Sequence, residues 1–382
     1  MKSHRIVRSL GAGALILVTG FLATTSFAGA TSAKDQAPSS HAVFVESDQT
    51  GSNTVISYSR STDGSISFVA TYPTGGAGGS AAGSAADPLA SQGGLALVDH
   101  GNELIATNPG SNSVSVFVVF GPYLHLIQQV PSGGLFPVSI SSHDDLVAVL
   151  NAGGAGSVSE FRFQWGRLVA LNNETRPLGL TNTTPPFYLA GAGQVGYSPN
   201  GQFLIVTTKA STSSYEVFTV SARGELSSSA TVTAAANAVP FAFTFDANGR
   251  IVAAEASNSS VSTYTIGFNG SLTLVGTVSD GQAALCWISG AQGYFFGSNA
   301  GGGDVSSFGE TAVGVPTLLN AKAAITHPGT TDSAVSPDGA FLYVESGGSG
   351  ALDAFAINTN GTLTPIETLW NLPLPYEGIA VS

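Results

Sequence analysis

Oxygen-bearing side chains recur where short apolar strands end along this 382-residue chain. Carboxylates and amides of this kind can hold the hydroxyl groups of a polar ligand or a hard cation such as calcium. The same residue types also satisfy the backbone groups of loops, so a structural role is the alternative interpretation. We call them the ring positions; they are Glu46, Asn108, Asn151, Thr207, Glu255, Asn299 and Glu345.

A second polar group precedes the strands that we expect to be innermost. His327 would act as an acid or base if it faced Asp332, because imidazole titrates near neutral pH; the alternative is a solvated or structural histidine. Arg176 and Lys209 are cations on the same side, and each would either bind an anionic ligand or form a surface salt link. The candidate ligand-binding residues before the inner strands are Gln194, Asp332, Glu377 and His327.

Nucleophile and metal motifs are missing from the sequence. Cys286 is the one cysteine, so no disulfide can form within the chain, and its apolar neighbours predict a buried core residue. No H-E-x-x-H, G-x-S-x-G, phosphate-loop or EF-hand pattern occurs. We therefore expect no metal or other cofactor. A divalent cation would have only the oxygens of the ring positions as candidate ligands.

A sequence motif that occurs three times indicates the strands and turns that position these residues. It reads SAVSPDGAFLYVESG from Ser333, QVGYSPNGQFLIVTT from Gln194 and AFTFDANGRIVAAEA from Ala242. Pro presets the first corner of a turn and Gly takes its left-handed position, so each copy predicts strand, tight turn, strand. A third strand, a second turn that often contains Asn-Gly or Asp-Gly, and a fourth strand then follow.

The second turn occurs seven times, with ordinary spacings of 45, 46 and 47 residues. Four strands per repeat at this period predict an all-β, seven-bladed β-propeller with four antiparallel strands per blade, over residues 41–382. The first unit lacks an innermost strand, and the C-terminal residues 378–382 (GIAVS) resemble one. We therefore expect the C-terminal strand to pair into blade one and close the ring. The turn glycines are Gly64, Gly121, Gly166, Gly224, Gly270, Gly314 and Gly361.

Two connections are longer than the rest, at residues 74–92 and 172–192. Both join an outer strand to the next inner strand, so both emerge on the same face of the ring. Insertions confined to one face usually mark the binding side. The first insertion is rich in Gly, Ala and Ser and carries almost no side-chain chemistry, so we interpret it as tolerated decoration.

The repeats resemble the lactonase-like seven-bladed propellers, a family that includes bacterial 6-phosphogluconolactonases and fungal carboxymuconate cyclases. The resemblance rests on the SPDG and SPNG turns, on FLYVES and similar second strands, and on ALCWISGAQGYFFGSNAGGGDVSSF. It covers residues 40–382. WD40 propellers are the nearest alternative, but regular GH and WD pairs are absent.

The resemblance implies lactone hydrolysis, but only one of the family's catalytic residues has a match in this sequence. The family's first histidine falls near Gly193, and its Arg-His pair falls on Phe241 and Ala242. The family's glutamate is matched by Glu255, which the resemblance makes the candidate catalytic base. Lactone opening also needs a donor or cation for the developing oxyanion, and no matching residue supplies one.

Composition indicates where the protein is located and which partners it disfavours. Residues 1–30 hold three basic residues, an apolar run and the small-residue site Ala28-Gly29-Ala30, which predicts a cleaved signal peptide rather than a membrane anchor. Residues 31–40 are a short linker. Without the leader the chain keeps 24 acidic and nine basic residues, a formal net charge of −15. Such acidity disfavours nucleic acid and anionic membranes as partners.

These observations predict a secreted or periplasmic protein, monomeric and away from the membrane once the leader is removed. The expected partner is a small polar molecule, such as a sugar lactone, bound on the insertion-bearing face, with lactone hydrolysis as the implied activity. The alternative is a propeller without catalytic activity that binds carbohydrate, a cell-surface component or another protein.

Overall fold

The computed structural model describes residues 41–382, apart from the side chains of residues 172–174. The predicted signal peptide and linker lie outside the described residues. Within them, the backbone forms seven four-stranded antiparallel sheets, which confirms the seven-bladed propeller. No described helix is long and apolar enough to cross a membrane.

The first three blades are built as follows. Blade one contains β1 (Ala42–Glu46), β2 (Thr54–Arg60) and β3 (Ile66–Pro73). Blade two contains β4 (Leu95–Val98), β5 (Glu103–Asn108), β6 (Ser113–Phe120) and β7 (Tyr123–Pro131). Blade three contains β8 (Pro137–His143), β9 (Leu146–Asn151), β10 (Ser157–Gln164) and β11 (Arg167–Pro177).

The remaining blades follow the same order. Blade four contains β12 (Gln194–Tyr197), β13 (Phe203–Thr207), a short helix α1 (Lys209–Thr212), β14 (Ser214–Thr219) and β15 (Thr231–Ala234). Blade five contains β16 (Pro240–Phe245), β17 (Ile251–Glu255), β18 (Ser260–Ile266) and β19 (Leu272–Ser279). Blade six contains β20 (Leu285–Ala291), β21 (Tyr294–Asn299), β22 (Asp304–Glu310) and β23 (Pro316–Ile325). Blade seven contains β24 (Thr330–Val335), β25 (Phe341–Ser346), β26 (Ala351–Ile357) and β27 (Leu363–Trp370), and β28 (Ile379–Val381) ends the chain.

The C-terminal strand closes the ring as predicted. Strand β28 pairs antiparallel with β1, with Val381 opposite Val43 and Ile379 opposite Val45. It therefore takes the innermost position of blade one, which the N-terminal part of that blade does not supply.

The hydrophobic core lies between the blades, in seven clusters among the described residues. Successive side chains of a strand point to opposite faces of its sheet, so one strand serves two clusters. In β5, Leu104 packs towards blade one and Ile105 towards blade three. Each sheet is thus covered on both faces by its neighbours, which explains the nearly continuous apolar second strands.

The repeated turns have the predicted geometry. Gly339 has a φ of +69°, the left-handed region in which glycine is favoured, and its N–H donates to Ser336 O at 2.7 Å. All seven second-turn glycines also have positive φ. The face that carries these turns is called the turn face below, and the opposite face is the insertion face.

Candidate functional site

The first insertion runs into the propeller axis instead of lying on the surface. We call residues 87–94 the axial segment, and Leu89, Ala90 and Ser91 in it are buried. Its hydrogen bonds reach four blades, which corrects the interpretation of this insertion as decoration. They are Ile140 N to Gly93 O (2.8 Å), Gln92 N to Gly193 O (3.1 Å), Trp287 Nε1 to Ser91 O (2.6 Å) and Gly93 N to Asp332 Oδ2 (3.2 Å).

The two insertions also contact each other. Ala82 forms a parallel bridge with Phe187, and its N–H donates to Pro186 O at 2.8 Å. Lys209 Nζ donates to Ala90 O and to Tyr188 O, both at 2.5 Å, so one buried ammonium joins the axial segment to the second insertion. The insertion face of the axis is therefore closed by the chain itself.

Six buried carboxyl groups, one in the axial segment and five around it, are each at most 5% exposed. Four of them were singled out in the sequence, whereas Asp48 and Asp87 were not. Lys209 is the one buried cation that acts on this group among the described residues. The axial carboxyls, as we call them, are Glu46, Asp48, Asp87, Asp332, Glu345 and Glu377.

Backbone amides hold these groups in place. Asp87 accepts from Leu89 N (2.8 Å), Ala90 N (2.6 Å) and Ser91 N (3.0 Å), so it fixes the turn that begins the axial segment. Accepting several N–H groups favours an ionised carboxylate, but burial opposes it. The other anchoring bonds are Ser333 N to Asp332 Oδ1 (2.7 Å), Glu377 N to Asp48 Oδ2 (3.1 Å), Gly378 N to Glu345 Oε2 (3.1 Å) and Asn53 Nδ2 to Glu46 Oε1 (2.6 Å).

Several axial carboxyl oxygens have no donor. Both oxygens of Glu377 lack a hydrogen-bond partner within residues 41–382, as do Oε1 of Glu345 and Oδ1 of Asp48. Burial, followed by the charges of Asp87 and Asp332, raises the pKa of Glu377. A buried carboxyl group without donors is favoured in its neutral, protonated form.

The electrostatics agree with protonated carboxyls. Burial raises the pKa of Asp87 to about 7 and that of Asp332 to about 7. Burial, followed by repulsion from neighbouring acids, places the pKa values of Glu46, Asp48 and Glu377 well above their usual range. Burial, followed by the Asp332 charge, does the same to the pKa of Glu345. Burial also lowers the pKa of Lys209 to about 8, although the Asp87 charge opposes this. These shifts favour protonated axial carboxyls near neutral pH, next to the one ammonium group of Lys209.

The structure gives no sign of a metal centre in the part of the chain that it describes. No group of three or more His, Cys, Asp and Glu side chains within residues 41–382 could hold a metal ion. Cys286 is buried as predicted, and burial raises the pKa of its thiol to about 12, so it is not a ready nucleophile.

Glu255 lies apart from the axial carboxyls. Its Oε1 accepts from Tyr264 Oη (2.7 Å) and Tyr215 Oη (3.2 Å), and its Oε2 accepts from Ser262 Oγ (2.8 Å). Its partners belong to β14 and β18, the third strands of blades four and five. Glu255 is therefore directed between these two blades.

Three asparagines at the ring positions also form hydrogen bonds to a third strand. Each donates through Nδ2 to a serine hydroxyl on the third strand of its own blade, so the repeat ties the second strand to the third. Thr207 instead donates to Phe241 O at 2.6 Å and so links blades four and five. The amide contacts are Asn108 with Ser115 (2.8 Å), Asn151 with Ser159 (3.3 Å) and Asn299 with Ser306 (2.9 Å).

The structure places His327 and Arg176 away from the axis. His327 Nδ1 lies 3.1 Å from Asp353 Oδ2, and its ring centre lies 4.3 Å from that of Trp370. It therefore pairs with Asp353, and the condition on which its acid–base role depended is not met. Arg176 donates to the carbonyl oxygens of Ser227 and Leu226 (both 2.8 Å) and joins blades three and four.

Two of the residues that match the family's histidine and Arg-His pair contact the axial segment and Lys209. Gly193 O accepts from the axial segment at Gln92, and Lys209 Nζ lies 5.1 Å from the centre of the Phe241 ring. The sequence could not show this arrangement, because residues 74–92 carry almost no side-chain chemistry.

A solvent-accessible cavity of about 360 Å³, here called the axial pocket, opens on the axis beyond the axial segment. Gln92 forms its inner end, since its side chain exchanges hydrogen bonds with Ile288 N and O, both at 3.0 Å. Gln194 lines the pocket, and its Oε1 accepts from Phe243 N at 2.6 Å. The other polar lining residues are Ser141, Tyr197, Thr244 and Ser289, and the lining contains no carboxyl, imidazole, ammonium or guanidinium group.

Comparison with known proteins agrees with this fold. The family model described as "Lactonase, 7-bladed beta-propeller" matches residues 155–286, so the resemblance to the lactonase-like seven-bladed propellers is confirmed. No protein of curated function shows significant sequence similarity to the chain.

Solved structures with the same fold include three with similar coverage. A periplasmic gluconolactonase from Pseudomonas aeruginosa is 17% identical with a TM-score of 0.68, over 89% of this chain and 98% of its own. Bacteroides fragilis and Bacteroides uniformis proteins, both provisionally described as 6-phosphogluconolactonases, are each 16% identical, with TM-scores of 0.69 and 0.70. Each match covers 90% of this chain, and 98% and 99% of the respective relative. At these identities the likeness establishes the fold alone.

Proposed function

We propose that this lactonase-like propeller is exported and binds a small polar molecule, of the size and polarity of a sugar lactone, in the axial pocket without hydrolysing it. The observation that carries the proposal is the lining of that pocket. Gln, Ser and Thr side chains can orient hydroxyl groups, and the volume of about 360 Å³ lies within the range of small-molecule sites. The lining offers no general base and no cation, which hydrolysis would need.

Binding without turnover is tested with δ-gluconolactone. Titration calorimetry on the protein lacking residues 1–30 should give a binding isotherm, while a pH-stat should show the lactone opening at its spontaneous rate. Thr244 is a half-buried residue of the pocket wall, and the larger ring in Thr244→Tyr should occupy part of the pocket. Binding should weaken at least about tenfold, which corresponds to a loss of about 1.4 kcal/mol in binding free energy. Thr273→Tyr, on an exposed position of the same blade, is the matched control and should bind normally. Absence of heat with both the lactone and gluconate would refute the proposal.

Lactone hydrolysis is the second candidate function. The family model that matches residues 155–286 includes Glu255, the glutamate that the resemblance makes catalytic. This candidate predicts lactone opening above the spontaneous rate, abolished in Glu255→Gln, with an unchanged unfolding temperature. We expect instead that Glu255→Gln leaves the rate at the spontaneous value and lowers stability, because it disturbs buried bonds to Tyr264 and Tyr215.

Export is tested by expressing the full chain in a bacterial host. The positive start, the apolar run and the Ala28-Gly29-Ala30 site predict cleavage after Ala30. Mass spectrometry of the protein outside the cytoplasm should therefore find Thr31 at its N-terminus. An uncleaved chain in the membrane fraction would show that the leader is an anchor.

A further inference from the structure

We propose that a second site, a groove across the turn face, binds a neutral carbohydrate chain. The groove consists of three adjoining hollows of about 530, 620 and 520 Å³. The first two share His143, Asp144 and Asp145, and the last two share Asn200 and Phe203. The hollows run from the turns of blade two to those of blade five, so their shape fits a linear polymer better than a compact ligand.

Two almost fully exposed aromatic rings stand along this groove. Trp165 is 99% exposed and lines the first hollow, and Phe268 is 96% exposed and lines the second. Large rings left in water are costly and mark interaction surfaces when they flank a polar cleft. The flat C–H faces of sugar rings stack on such side chains while their hydroxyl groups reach polar neighbours.

The backbone at Trp165 adds a second observation. Trp165 has a φ of +56° in the turn before Gly166, a region that bulky residues rarely adopt. Among the residues that precede the seven second-turn glycines, Trp165 is the one with a positive φ; the others are Asp63, Phe120, Arg223, Asn269, Val313 and Asn360. A tryptophan held in a strained turn and fully in water has no packing role, and strain of this kind is concentrated at functional positions.

The charges in the groove favour a neutral polymer. Acidic and basic side chains are equal in number along it, and Arg162 pairs with Asp145 while Arg250 pairs with Asp246. The charged lining residues are Asp99, Asp144, Asp145, Arg162, Arg223 and Arg250. The chain as a whole has a formal net charge of −12, which disfavours polyanions. Exposed Asp144, Asn200 and Gln202 offer acceptors and donors for sugar hydroxyls. This site is separate from the axial pocket, so its test is independent of the proposed function.

The experiment titrates the protein lacking residues 1–30 with neutral hexasaccharides: cellohexaose, laminarihexaose, xylohexaose, mannohexaose, maltohexaose and chitohexaose. Tryptophan fluorescence reports binding, because Trp165 is exposed whereas Trp287 is buried and Trp370 is half-exposed. At least one sugar should shift the emission to shorter wavelength. Trp165→Ala and Phe268→Ala, followed by calorimetry, should each weaken its binding roughly tenfold.

Matched controls make the outcome clear. Phe68→Ala removes an aromatic ring that is 63% exposed outside the groove and should leave the affinity unchanged. Thr244→Tyr in the axial pocket should also leave it unchanged. The proposal is overturned if no hexasaccharide binds, or if binding survives both groove substitutions. It is equally overturned if sedimentation shows a dimer that Trp165→Ala dissociates, because the groove would then be an interface between copies.

Discussion

Deleting residues 378–382 should abolish cooperative folding. The deletion removes β28, whose Ile379, Ala380 and Val381 are buried between blades seven, one and two. Burying the Ile379 and Val381 side chains contributes about 1.5–3 kcal/mol each, and each buried backbone group left unpaired costs about 1–3 kcal/mol. The loss is therefore on the order of 10 kcal/mol, comparable with the whole stability of a typical domain. Circular dichroism melting would show it.

A graded variant keeps this test usable if the shortened chain is insoluble. Val381→Ala trims one buried contact and should lower the free energy of unfolding by about 1–2 kcal/mol. Val313→Ala, at a side chain that is 69% exposed, should change nothing measurable. A shortened protein that melts cooperatively at the unaltered temperature would show that the ring does not depend on β28.

Raising the pH from about 5 to about 8 should destabilise the protein. The pKa values of Asp87 and Asp332 are raised to about 7 in the folded state. A raised carboxyl pKa contributes stability that is fully present below the unfolded value near 4 and is lost as the pH rises through the folded value. The expected loss is on the order of 5 kcal/mol, or about 5–10 °C in melting temperature. Calorimetric scans across this pH range would measure it.

Two other titratable groups affect the pH range over which stability is lost. Glu216, with a pKa that burial raises to about 7, acts in the same direction. Lys209 has a pKa that burial lowers to about 8. Above that pH the folded protein has lost the lysine proton while the unfolded chain still holds it, so this group makes stability rise with pH.

Glu377→Gln provides the specific variant for this prediction. It replaces one buried acid of this group with a neutral amide, so it should flatten the pH dependence and raise the melting temperature near pH 8. Glu225→Gln, at an exposed turn position, should retain the full pH dependence. Stability that rises with pH in the unmodified protein would mean that the axial carboxyls are ionised and held by another partner.

The blade architecture could be read from the sequence because it depends on local chemistry. Turns such as Ser336–Gly339 set their own backbone geometry, and Ser336 Oγ accepts from Phe341 N at 3.0 Å to fix the turn. Nearly continuous apolar strands require cover on both faces, which only a ring of sheets supplies. The missing strand of blade one then predicted β28.

The axial segment could not be read in the same way, because backbone groups make most of its contacts. Small residues serve close approach here: a Cβ added at Gly94 would lie 2.9 Å from Leu89 and 3.5 Å from oxygens of Glu377 and Glu46. A Gly/Ala/Ser-rich stretch looks the same whether it is solvated or packed. Asp87, which accepts three backbone N–H groups, was the available signal.

The candidate site residues divide according to what positions them. Glu46, Asp332, Glu345 and Glu377 meet at the axis because equivalent strand ends of a propeller converge there. The repeat alone does not reveal that Glu255 would find two tyrosines on neighbouring third strands, since those partners are distant in sequence. The edge-to-face contact of His327 with Trp370 is likewise a tertiary contact.

The central claim is that protonation, together with Lys209, neutralises the carboxyls that are buried at the propeller axis. Infrared spectroscopy in heavy water tests it most directly, since a protonated carboxyl has a carbonyl stretch distinct from the carboxylate bands. We predict this band near pH 6, its loss as the pH rises through about 7 and beyond, and its weakening in Glu377→Gln. A spectrum that contains only carboxylate bands at pH 6 would contradict the account.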